Sequence, residues 1–105
     1  MAFNSGQTFK DMLEAAAMAA DDDWNLIETA MTQLMESERE TLREVAVEWI
    51  RSGISDKALD GQLENLQKRY CDYLCAQDSD LDDGLCRKTV QAALSRFWEA
   101  LMEAL

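Results

Sequence analysis

No proline interrupts this chain, and glycine occurs only four times in its 105 residues, at Gly6, Gly53, Gly61 and Gly84. Those two residue types are the ones that break helices, close tight turns and bound short strands. A chain almost without them, and rich in Ala, Leu, Met, Glu and Gln, has few ways to fold except as helices joined by brief connections. The apolar pattern agrees: no segment alternates cleanly, and every segment from Phe9 onward repeats at helical intervals. The expected class is therefore all-α, a compact bundle of about five helices. With 48% apolar residues the chain suffices for one core and not for two, so a single domain over 1–105 is expected.

Boundaries follow from caps and stripes. Phe9, Met12, Leu13, Ala16 and Ala20 mark a first helix, with Ser5 or Thr8 as N-cap, ending near Asp21–Asp23. Trp24, Ile27, Met31 and Leu34 mark a second, with Asp21, Asp22 and Asp23 set against the positive end of its dipole. Ser37-Glu38-Arg39-Glu40 has the form of a capping box and predicts a third helix through Leu42, Val45, Ala46, Trp49 and Ile50, stopped by Arg51-Ser52-Gly53. Ser55 opens a fourth, whose seam is Leu59, Leu63, Leu66, Tyr70 and Tyr73 and which ends near Gln77. The last helix runs from about Leu85 and carries apolar residues over a wide arc. Of these, Phe97, Trp98, Leu101, Met102 and Leu105 suit either a central position in the bundle or an interface with a partner, including a second copy of the chain.

Charge is the strongest functional constraint. Twenty-one acids face ten bases, for a net charge of −11. The excess sits in two blocks. Met1 to Glu36 holds seven acids against Lys10 alone, and Tyr70 to Cys86 holds five acids and no base. Such a surface repels nucleic-acid phosphate and anionic lipid and attracts basic protein surfaces. The start of the chain lacks a secretory layout, no run of about 18 apolar residues occurs, and three cysteines make an odd number unsuited to a disulfide framework. A cytoplasmic protein with reduced thiols is the expectation.

Histidine is absent, which removes the commonest general acid-base group and the commonest nitrogen ligand for metals. No catalytic constellation is visible, so the chain is read as a non-enzyme without a cofactor. Cys71 and Cys75 share one helical face and Cys86 follows across a loop, but their spacing fits no standard zinc or iron–sulfur pattern, and buried thiols filling helix flanks account for them. Asp78-Ser79-Asp80-Leu81-Asp82-Asp83-Gly84 has acids at the first, third and fifth places of a calcium loop. Its glycine comes one residue late, and Thr89 stands where a bidentate Glu should close the cage. No metal site is expected.

Glu44-Val45-Ala46-Val47-Glu48-Trp49-Ile50-Arg51-Ser52-Gly53-Ile54-Ser55-Asp56-Lys57-Ala58-Leu59 resembles the helix-turn-helix pattern, over a stretch continuing to Arg69. The exposed positions of its second helix offer Asp56, Asp60, Gln62 and Glu64 with Lys57 as the one early cation, which is the wrong charge for reading DNA. A scaffold that no longer binds DNA is what that resemblance implies. In size, charge and class the chain also resembles the small acidic proteins of phages and mobile elements, including anti-CRISPR and anti-restriction proteins, which occupy basic nucleic-acid channels of host enzymes. That resemblance implies stoichiometric inhibition, with Asp21, Asp22, Asp23, Asp78, Asp80, Asp82 and Asp83 standing in for phosphates against Lys or Arg of a nucleic-acid-binding complex. The rival expectation is that the charge only keeps the chain soluble, and that the apolar last helix docks onto a partner, as in secretion chaperones, immunity proteins and anti-activators.

Overall fold

A computed structural model describes residues 5–52, 56–77 and 82–104. They form α1 (Ser5–Ala20), one 3₁₀ turn (Asp21–Asp23), α2 (Trp24–Ser52), α3 (Asp56–Gln77) and α4 (Asp83–Ala104). The fold is all-helical, with no strand among the described residues. Four α-helices take the place of the five or so expected.

The difference lies at Ser37–Glu40, where no helix begins. From within α2, the Ser37 hydroxyl donates to the Leu34 carbonyl at 3.0 Å, and Glu40 lies 3.9 Å from Arg43. Two causes carry α2 through. Nothing between Trp24 and Ser52 breaks a helix, and the two apolar stripes are one: Ile27, Met31, Leu34, Leu42, Ala46 and Trp49 are all buried. Glu38 fills the step between Leu34 and Leu42. It is only 7% exposed, and it meets Arg69 of α3 at 2.6 Å. At 1.5 Å per residue the 29 residues of α2 extend about 43 Å, so this helix runs the whole length of a molecule 40 Å long.

Other boundaries agree or shift slightly. The breaks at Asp21–Asp23 and Gln77 are where the sequence puts them. Thr8 lies buried inside α1 and does not cap it. Gly53 and Ser55, expected to stop one helix and start the next, lie outside the described residues, as do Asp78, Asp80 and Leu105.

All four helices feed one core. Phe9, Met12, Ala16 and Ala20 come from α1, Leu66, Tyr70 and Leu74 from α3, and Leu85, Val90, Ala93, Leu94, Phe97 and Leu101 from α4. The radius of gyration, 13.4 Å, matches the roughly 13 Å of a compact chain of this size. α4 packs most extensively on α1 and next on α3. Ala16, Ala20 and Ala93, all buried, let α1 and α4 approach closely. Arg96 then bridges the pair, reaching Asp11 of α1 at 3.3 Å and Glu99 of its own helix at 2.8 Å.

Candidate functional site

The α1–α2 turn presents carboxylates with little to neutralise them. α1 ends on buried Ala20, and Asp21 turns the chain with a left-handed φ of 51°, a conformation that Asp tolerates better than most residues. Asp21, Asp22 and Asp23 are all exposed, and none forms an ion pair with a described residue. Elsewhere four of the chain's arginines are engaged: Arg69 with Glu38, Arg87 with Asp83, Arg96 with Asp11 and Glu99, and Arg39 over the Phe9 ring at 5.7 Å.

The second acidic segment is built differently. Asp78 and Asp80 lie outside the described residues. The Cys86 amide donates to the Asp82 carbonyl at 3.0 Å, which makes Asp82 the N-cap of α4. Asp83 occupies the first turn and pairs with Arg87 at 3.3 Å. Gly84 makes room for this cap, since a Cβ there would sit 3.1 Å from the Asp82 carboxylate.

The apolar surface expected on the last helix is a correction. Phe97 and Leu101 have no exposed area and belong to the core, because α4 is wrapped by α1 and α3 of its own chain. Trp98 is half-buried, held against Trp49 with ring centroids 6.4 Å apart, and Met102 is 37% exposed. No broad apolar face remains there for a second copy among the described residues.

The cysteines are brought together in part. Cys75 and Cys86 sulfurs lie 3.8 Å apart between α3 and α4, and all three thiols are free. Burial pushes Cys86 up to about 12, helped by its hydrogen-bonded contact with Cys75, and burial followed by the nearby Asp83 charge raises Cys71. Thiols held protonated are poor nucleophiles and poor ligands. Among the described residues no group of three or more Cys, Asp or Glu side chains converges on a metal position.

In the pair of helices resembling a helix-turn-helix, Asp60, Gln62 and Glu64 of α3 are exposed beside Lys57, so that face remains acidic where DNA would lie. The turn itself lies outside the described residues.

One feature was not read from the sequence. A groove of about 500 Å³ opens between α3 and α4, with Leu63, Leu94 and Trp98 at its floor and Asp60, Glu64 and Glu99 at its rim. The sequence signal is the seam residue Leu63 flanked by acids one turn apart, but the groove exists only once α3 and α4 lie side by side. No helix among the described residues is long and apolar enough to cross a membrane. Comparison of the chain with protein-family models, with curated proteins and with solved structures gave no match.

Proposed function

We propose that this chain is a small acidic inhibitor of the phage or mobile-element type, which binds one-to-one to a basic nucleic-acid-binding surface of a host protein and blocks it. The observation that carries this reading is the α1–α2 turn, with three consecutive exposed carboxylates that no cation among the described residues engages. Carboxylates in that state retain their charge for Lys or Arg of a partner, and charge-assisted hydrogen bonds of this kind are short and strong. The net charge of −11 adds long-range attraction that speeds the encounter. The reading is of a binder, not a catalyst, acting in the cytoplasm without a cofactor.

Capture of the target from host lysate, with identification by mass spectrometry, gives the protein for the decisive measurement. Affinity for the purified target should fall steeply between about 0.05 and 0.5 M salt, and the target's own nucleic acid should compete. Salt-independent affinity without competition would remove the phosphate-mimic mechanism.

A further inference from the structure

Among the described side chains, the first half of α3 buries almost nothing within its own chain. From Lys57 to Asn65 every described side chain is exposed except Leu63, which is half-buried, and the buried positions begin at Leu66. A mid-helix glycine, Gly61, faces open space there. A helix in a folded protein gains most of its stability from packing an apolar face, so a segment of this kind has unused docking capacity.

The groove between this segment and α4 supplies the face. Trp98 is braced by Trp49 and is partly exposed where it lines the groove, so part of its aromatic surface is held there in one orientation. Tryptophans held in this way are among the residues that dominate binding energy at interfaces. Leu63 and Leu94 extend the apolar floor, while Asp60, Glu64 and Glu99 stand at the rim and no cation lines the groove among the described residues. Asp60 and Glu64 are one turn apart on α3, spaced to meet cations that flank an apolar anchor on a facing helix.

We infer that the α3–α4 groove receives a basic amphipathic helix of a partner protein, with one or two apolar side chains seated on Trp98 and Leu63 and with Lys or Arg side chains against Asp60, Glu64 and Glu99. The occupant is specified by charge complementarity: an acidic helix would be repelled by the rim, and a second copy of this acidic chain would bring like charge. The inference rests on the reading of the chain as a binder of basic protein surfaces and adds a second contact, distinct from the α1–α2 turn, with its own apolar content.

The test uses a synthetic helical peptide of Leu and Lys in amphipathic order, with a Leu/Glu peptide of the same pattern as control. Binding is followed by anisotropy of the labelled peptide and by tryptophan emission of the whole chain. The Leu/Lys peptide should bind and shift the emission to shorter wavelength, and Trp98→Phe should remove the shift. Asp60→Lys with Glu64→Lys, both at exposed positions and checked for retained helicity, should weaken binding by roughly tenfold or more. Asp21→Lys with Asp23→Lys makes the same change in net charge and should weaken it by less than about threefold. Equal losses in the two double variants would mean non-specific charge attraction and would overturn the proposal. So would equal binding of the Leu/Glu peptide, or a wild-type dimer in sedimentation that Leu63→Glu dissociates. Because the host target takes no part, a failure here with turn-dependent target binding intact removes the groove alone.

Discussion

At the α1–α2 turn three aspartates stand exposed without an ion pair to any described residue, whereas at the start of α4 Asp82 takes the helix N-cap position and Asp83 is paired with Arg87. The side chains are the same and so is the local composition. What differs is the structural task. Asp83 is paired within its own helix, so its charge is partly used within the chain, and Asp82 holds the N-cap position in front of it. The turn acids serve no such pairing, and Asp21 even holds a left-handed backbone that glycine would adopt more easily. Acidity read from composition therefore covers two kinds of carboxylate, and the described residues separate them.

Target affinity gives the largest expected contrast. Asp21→Lys with Asp23→Lys should lower it by about a hundredfold or more, since each charged pair lost and replaced by repulsion is worth roughly tenfold. Asp82→Lys with Asp83→Lys should lower it by less than about tenfold. Calorimetric titration of the identified target decides, and a larger effect at the second segment would invert the assignment.

Stability should show the opposite order, on a smaller scale. Asp82→Ala removes a cap and should destabilise the chain by about 1 kcal/mol. Asp21→Gly relieves the left-handed backbone and one of three adjacent like charges, and should stabilise it by up to about 1 kcal/mol. Chemical denaturation of the two variants beside wild type reads both signs. A loss of stability in Asp21→Gly would show that the turn carboxylate has a structural partner after all.

The smallest effects concern the thiols next to the second segment. Asp83 raises the Cys71 pKa, so Asp83→Asn should speed alkylation of Cys71 about twofold, while Asp21→Asn leaves the rate unchanged. The Cys86 thiol is held near 12 in the folded chain against an ordinary value of 9.0. A folded-state pKa raised in this way contributes stability that is whole below about pH 9 and is lost as pH rises toward 12. Wild-type stability should thus decline on the alkaline side, and Cys86→Ala should flatten that decline. An equally steep decline in Cys86→Ala would assign it to another group.

Fold class was legible because it depends on what the chain lacks: without proline and nearly without glycine, every apolar stripe had to be helical. The helix count was not, and Glu38 explains why. Its place in the stripe between Leu34 and Leu42 looks like a gap until Arg69, thirty-one residues later, arrives to pair with it. With the gap taken as a boundary, Ser37 and Glu40 read as a cap, although the Ser37 hydroxyl bonds back to Leu34. A similar ambiguity surrounded Phe97 and Leu101. Their wide apolar arc fits a central helix and an interface equally well, and only the positions of α1 and α3 distinguish the two. The exposed acids of the α1–α2 turn could be picked out from the sequence, since a run of aspartates between two stripes has nowhere to go but into solvent. The groove could not, because its floor joins residues of α3 and α4 that no local pattern links.

The Asp11–Arg96 bridge joins residues 85 positions apart and seals the most extensive helix pairing in the molecule. During synthesis α1 leaves the ribosome well before its principal partner, α4, is made. Until then Phe9, Met12 and Ala16 lack much of their cover, so the nascent chain is an incomplete assembly with a sticky first helix. Closing so long a loop adds only a modest entropic term, because that term grows with the logarithm of length, but it places the docking of α1 late on the folding route. Cooperativity between α1 and α4 is the result: loss of α4, by truncation or by a premature stop, deprives α1 of its main packing surface as well.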